Sequence, residues 1–268
     1  MKKGKIVSGM RPTGKMHLGH LHGALLNWKN LQTKYDCFYF IADWHALTSE
    51  YAHPDIIREC TYDIIVDWIS MGLDPEFSTF FIQSEIKEHA ELYLIFSMIT
   101  PLPWLERNPT YKEQLNELSQ KNVYTYGFLG YPVLQAVELT REIARRFNHL
   151  YGEVFPVPDV LLTPTSKLLG IDRRKMSKSY GNAIFLTDTD EEIDAKTAQK
   201  CLSARIGCVD CKKKMASALK IGLEPIRAKR KELESDMGMV KDIMAEGNKK
   251  SRTIARETMG QVREAVKI

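Results

Sequence analysis

The chain has 268 residues, 44% hydrophobic and 27% charged, with a formal net charge of +4. That length allows a sizeable core in one or two domains, and two are expected. No stretch approaches the ~20 apolar residues of a bilayer-spanning helix, and the opening MKKGKIVSG runs into a strand without the apolar centre of a signal peptide. A cytoplasmic protein with no membrane partner is expected.

The charge is uneven along the chain. Residues 198–268 hold 17 Lys and Arg against 9 Asp and Glu, a net of +8, which leaves −4 for residues 1–197. Such an asymmetry points to a nucleic-acid partner for the basic part, or to a solvated helical surface. Five cysteines, an odd number, fit reduced thiols or metal ligation better than a disulfide framework.

In chain order, residues 5–8 read as a short strand. Leu18, Leu21, Leu25, Trp28 and Leu31 then recur at a spacing of three and four, the mark of a helix with one apolar face. CFYFIAD (37–43) reads as a buried strand. A helix opens near Pro54, carries Ile57, Ile64, Ile65, Trp68 and Ile69, and stops at Gly72. STFFIQS (78–84) is a third strand, and a helix over 87–99 follows. The βαβαβα order predicts an α/β fold with a doubly wound parallel sheet over residues 1–190. Beyond residue 191 Ile226, Leu233, Val240, Ile243, Ile254, Met259 and Val262 stand among charged residues, which predicts a smaller all-α, basic domain over 191–268.

GMRPTGKMHLGH (9–20) admits two readings. Gly9, Gly14 and Lys15 have the spacing of a phosphate-cradling P-loop, but Met16 stands where that loop needs a Ser or Thr hydroxyl. Alternatively, His17-Leu18-Gly19-His20 opens a helix straight after a strand, where free N–H groups and the helix dipole favour phosphate. His17 and His20, one turn apart, can both donate to phosphate oxygens, and Gly9 and Gly19 remove side chains where backbone or nucleotide must come close. Far downstream, GIDRRKMSKSYGN (170–182) sets Lys175 and Lys178 on a Gly-bounded loop suited to neutralising a departing pyrophosphate. Either motif alone is most often ordinary surface; the pair is much rarer.

The two motifs resemble the signature pair of class I aminoacyl-tRNA synthetases. SGMRPTGKMHLGHLHGALLNW, IADWHALT, MITPLPWLERNPTYKEQ, YGFLGYPVLQA, ELTREIARRFN and KMSKSYGNAI resemble the tryptophanyl branch, nearly from end to end. The resemblance implies a Rossmann-like catalytic domain and favours the helix-opening reading over the P-loop. It implies a tRNA(Trp) ligase that uses L-tryptophan, ATP and Mg²⁺ and works as a homodimer. It further implies that Arg11, Pro12, Thr13, Gly19 and His20 line the ATP and that His17 reaches its phosphates. Lys175, Ser177 and Lys178 would hold the pyrophosphate, with Met176 under the adenine side. Gly9, Asp43, His45, Tyr131 and Gln135 would border the amino-acid pocket. The alternatives are the tyrosyl branch and a non-catalytic paralogue that binds nucleic acid.

Cys201, Cys208 and Cys211 form C-x6-C-x2-C, a spacing open to iron–sulfur or zinc. GCVDCKKK resembles the bacterial iron–sulfur subgroup, which favours a [4Fe–4S] cluster with three ligands visible. Cys37 and Cys60 read as core residues. Two joins depart from the family's pattern. YPVLQA runs directly into Val137, without the acidic residue that meets the indole N–H, and DAKT (194–197) runs directly into Ala198, without the stretch that holds a fourth cysteine. Both joins are expected to stand where the native chain carries further residues.

Overall fold

The computed structural model describes residues 4–108, 111–112, 115, 123–134, 137–161, 163, 168–170, 174–198 and 209–268, of which 137–138, 179, 197–198 and 209–214 by backbone alone. Strands β1 (Lys5–Met10), β2 (Asp36–Ile41) and β3 (Ser78–Ile82) form a parallel sheet in the order β1-β2-β3. Ile6 stands opposite Cys37 and Gly9 opposite Phe40, and Cys37 in turn faces Ser78. Parallel strands need helical crossovers. Here they are α1 (Leu18–His20) running through a π turn at Leu21–Leu25 into α2 (Leu26–Leu31), and α3 (Asp43–Glu50) with α4 (Asp55–Ser70). The parallel α/β architecture expected from the sequence is present. The reversal of strand order that makes a sheet doubly wound does not occur among the described residues.

β2 is central and covered on both faces, which is why CFYFI is a continuous apolar run. Cys37, Tyr39 and Ile41 are fully buried. The expected stripe on α1–α2 turns inward, with Leu18, Leu21, Leu25 and Trp28 buried. The Trp28 ring stacks on Tyr39 at 4.2 Å and meets Trp68 of α4 edge-on at 5.3 Å. Cys60 departs from its reading as a core residue: it is half-buried, and its thiol meets the backbone of Gly14.

After β3 come α5 (Glu88–Ile99), α6 (Leu102–Glu106), α7 (Tyr126–Gly130) and α8 (Val137–Tyr151), then α9 (Asp190–Ala198), α10 (Val209–Ser235) and α11 (Met237–Val266). α10 packs on α4 and α11 packs on β3. Leu233, Val240, Met259 and Val262 are buried, as the amphipathic pattern requires. α11 lies along the outer edge of β3, where Asn248 Oδ1 accepts the Ile82 N–H at 2.8 Å. A Cβ at Gly247 would collide with the carbonyl oxygen of Phe80, so only glycine lets the helix cover this edge.

Charge complementarity holds the same interface. Arg252, Arg256 and Arg263 on one face of α11 meet Glu85, Glu88 and Glu91. Arg230 of α10 reaches into α4, where it binds Asp67 and, at 2.7 Å, Asp63. Asp67 is 2% exposed, and burial pushes its carboxyl up to about 6 despite the guanidinium. Removing one partner of a buried pair strands the other. Arg230→Leu is expected to cost about 3–5 kcal/mol of stability in denaturant melts. Arg263→Leu, on a pair a third or more exposed on both sides, is expected to cost far less.

Candidate active site

The two distant motifs meet at the carboxyl end of β1. Leu18 N donates to Ile184 O and Leu186 N to Met16 O, both at 3.0 Å, so the segment after KMSKS is stapled along the start of α1. Met16 is 2% exposed within the core, and the helix opens at Leu18 rather than at Lys15. The P-loop reading therefore fails: the position that would need a hydroxyl is an apolar core site.

A cavity of about 300 Å³ lies here, lined by Gly9, Met10, Arg11, Thr13, Gly14, Met16, His20, Ala42, His45, Ile64 and Lys178. His17 caps the first turn, its Nδ1 accepting the Gly19 N–H at 3.0 Å. His20 Nδ1 accepts the His17 N–H at 3.1 Å, and the two rings stack at 3.8 Å. A Cβ on Gly19 would come within 2.8 Å of the His17 ring, and one on Gly9 within 2.8 Å of Phe40. Both glycines are thus fixed by close approach. Since each Nδ1 accepts, each Nε2 carries the proton of a neutral imidazole. Burial, with the neighbouring Lys178 cation, lowers His17 to about 4; burial, then His17 and Lys178, lowers His20 to about 3. The pair acts as neutral N–H donors.

Lys178 points its ammonium at Gly14, whose φ is +118°; a Cβ there would lie 3.4 Å from Nζ. Burial lowers the lysine's pKa, as does the nearby Arg11, against the opposing pull of Cys60 and Asp67. The site gathers cationic and neutral donors without an ion pair to Lys178 among the described residues. Pro12 is buried beside it. Met176 is buried with its Cβ 3.6 Å from a Cβ built on Gly19. Lys175 is exposed and does not line the cavity.

Asn182, which the motif reading did not single out, holds the loop. Fully buried, its Oδ1 accepts the Ser177 N–H at 2.8 Å and its Nδ2 donates to Lys175 O at 3.1 Å. The neighbouring Gly-Asn pair was the available signal.

On the other side His45 stacks on Tyr131 at 4.6 Å. Asp43 is set apart from that cavity; it lines a neighbouring one of about 470 Å³, and its Oδ1 accepts the N–H groups of Trp44 and Ser84. Gln135, Cys201 and Cys208 lie outside the described residues, as does the side chain of Cys211, whose backbone begins α10. Among the described residues no group of three or more His, Cys, Asp or Glu is placed to hold a metal, and no helix is long and apolar enough to cross a membrane.

The N–H groups of Leu18, Gly19 and His20 go to Ile184 O, His17 Nδ1 and His17 O, so the helix start offers two neutral imidazoles rather than the free N–H groups expected of it. A parallel sheet with these imidazoles and a lysine loop closing on them at the strand end is the arrangement of an α/β enzyme site. The family description "tRNA synthetases class I (W and Y)" matches residues 1–138 and 136–266, and the chain belongs to that family. It is 42% identical to the tryptophan–tRNA ligase of Thermotoga maritima, over 98% of this chain and 99% of the relative. With that of Aquifex aeolicus it shares 36% identity over 98% and 100%. The solved tryptophanyl-tRNA synthetase of Campylobacter jejuni, complexed with ADP and tryptophan, superposes with a TM-score of 0.87 at 26% identity, covering 98% of this chain and 100% of that one. The first two alignments run to 325 and 393 residues, longer than this chain, so the relatives carry segments with no counterpart here. The family match itself divides at 136–138, the first of the two joins.

The neutral histidines set a pH dependence. Unfolded, both bind protons near 6.5; folded, only at about 4 and about 3. Between those values the unfolded chain holds more protons, so stability falls as pH drops from about 6.5 towards 4, by up to ~1.4 kcal/mol per pH unit per group. His20→Asn keeps an acceptor for the His17 N–H and removes one titration. Denaturant melts at pH 7, 5.5 and 4.5 should show a shallower acid loss in the variant; equal slopes would refute the burial of a neutral His20.

Proposed function

We propose that the protein is a tryptophan–tRNA ligase, activating L-tryptophan with ATP and passing it to tRNA(Trp). The observation that supports this most is the approach of Lys178 to Gly14 beside the neutral His17–His20 pair, in a chain whose full-length relatives bear that name. The tryptophan carboxylate oxygen attacks the α-phosphorus in line, the bond to pyrophosphate breaks, and the adenylate's acyl group then passes to the terminal adenosine of the tRNA. The carboxylate is already a nucleophile, so the first step needs positioning and charge stabilisation rather than a general base.

Each side chain has a part in that step. Arg11, Pro12, Thr13 and Gly19 line the ATP. His17 and His20 donate Nε2–H to phosphate oxygens at no cost in buried charge. Lys178 meets the β- and γ-phosphates as they leave, Lys175 and Ser177 reach them from the rim, and Met176 packs on the adenine side. Gly9, His45 and Tyr131 border the amino acid, Asp43 lines the neighbouring cavity, and Gln135 is assigned to the pocket by the resemblance alone. Mg²⁺ accompanies the ATP as its phosphate counter-ion.

The basic helices of 191–268 are the tRNA-contacting part. We also assign a homodimer, supported by Leu47, Leu94, Met98, Leu102 and Tyr126, apolar side chains left exposed on α3, α5, α6 and α7, and by Tyr51 just after α3. Cys201, Cys208 and Cys211 are assigned to a [4Fe–4S] cluster on their spacing and on the resemblance of GCVDCKKK. Anaerobic absorption with iron and sulfide analysis tests this, and stoichiometric zinc without sulfide overturns it.

Pyrophosphate exchange into ATP, run with each standard amino acid, is expected to depend on tryptophan. Lys178→Ala should slow adenylate formation ~10²-fold or more while leaving tryptophan Kd little changed, because the full charge partner exists only as pyrophosphate departs. An unchanged rate with weakened tryptophan binding would remove that role. The segments present in the relatives and absent here favour one rival, a non-catalytic paralogue that binds nucleic acid. No exchange with any amino acid, from a chain of intact mass 30.7 kDa, would establish the rival.

A further inference from the structure

Tyr131 stands between two spaces. One ring face stacks on His45, which lines the nucleotide cavity, and Tyr131 also borders a separate, mostly apolar cavity of about 520 Å³ with Trp44, Leu47, Tyr93, Tyr126 and Leu134. Rotation about χ1 would carry the ring out of the stack, and the second cavity lies beside it. Packing alone does not hold the wall.

The hydroxyl does. Gln83, at the end of β3, is 1% exposed, and its amide brackets the Tyr131 oxygen: Nε2 donates to it at 2.6 Å and Oε1 accepts its proton at 2.9 Å. Burial, more than any neighbouring charge, raises the Tyr131 pKa, so the hydroxyl keeps the proton that this arrangement needs. Only an amide presents a donor and an acceptor side by side; a carboxylate has no donor and a thioether has neither group. Gln83 is itself fixed from behind, because the next residue, Ser84, donates its N–H to Asp43 Oδ1 at 3.0 Å and ties the end of β3 to the start of α3.

We infer that Gln83 is a positioning residue for the amino-acid site: its amide clamps the Tyr131 hydroxyl, and through it holds the Tyr131–His45 stack as the flat wall that an aromatic substrate meets. Resting on the function proposed above, this makes Gln83 a determinant of tryptophan affinity that touches neither tryptophan nor ATP.

Gln83→Met keeps length and removes both amide atoms. In pyrophosphate exchange it should raise tryptophan KM roughly tenfold, with ATP KM and kcat within about twofold. Tyr131→Phe should do the same, and the double variant should do no more, because both remove one clamp. A second measurement needs no substrate. With ¹³C-labelled tyrosine, the Tyr131 signals should report a single χ1 rotamer in the unaltered protein and exchange between χ1 rotamers in Gln83→Met. Unchanged ring motion, additive effects, or equal rises in the tryptophan and ATP KM values would overturn the inference. An unaltered protein with no tryptophan-dependent exchange, but with the expected change in ring motion, would remove the proposed function and leave the clamp standing.

Discussion

Lys178 brings an ammonium into a site shielded from water and already flanked by Arg11. A half-buried ammonium with no ion pair among the described residues is costly, and an arriving anion would offset that cost. The surroundings follow from that constraint. The two histidines remain neutral, since protonating either would add a like charge to a desolvated cluster. Gly14 takes a backbone conformation that brings its peptide against the lysine, and Gly19 leaves room for the ring that caps the helix. Asn182 then fixes the loop backbone that presents the lysine. Under the proposed function, a triphosphate would bring the opposite charge to this cluster.

The same electrostatics binds the two ends of the chain. The −4 of residues 1–197 and the +8 of residues 198–268 are partly spent on each other: Arg230 on Asp63 and Asp67, and Arg252, Arg256 and Arg263 on glutamates of the catalytic part. Those three glutamates sit three apart, at 85, 88 and 91, and meet arginines at 252, 256 and 263 along one face of α11. Much of the basic tail is therefore internal complementarity. The lysines of α11, among them Lys241 and Lys249, make no ion pair among the described residues and carry the positive field that a polyanion would meet.

What the sequence revealed and what it concealed divide by range. The stripe Leu18, Leu21, Leu25, Trp28 and the run CFYFI are local patterns, and both went where periodicity sends them. The two motifs were legible because each is a short string with its own chemistry. Long-range pairings were not legible. Gln83 and Tyr131 are 48 residues apart and Ile82 and Asn248 are 166 apart, with nothing in either string to announce the other. Gly247 reads as a weak spot in a helix until Phe80 is seen against it. Cys60 looked like core because a free cysteine is commonly buried, but helix geometry turned it towards the Gly14 loop.

The two halves of the site differ in how fully this chain defines them. The phosphate half is enclosed by described residues from both motifs, and its donors, cations and close-packed glycines account for one another. The amino-acid half has a single aromatic wall, Tyr131 on His45, held by one amide. The chain leaves that wall at Leu134, just before residues 136–138, where the family match divides and the longer relatives have more to offer. An indole N–H that finds no acceptor when buried costs ~1–3 kcal/mol, which is most of the discrimination one hydrogen bond can give. Departures at this join thus bear on selectivity between aromatic amino acids far more than on the capacity to bind and cleave ATP. Under the proposed function, ATP chemistry would rest on the half built by Lys178 and the two histidines, and the Tyr131–His45 wall would bear on the amino acid.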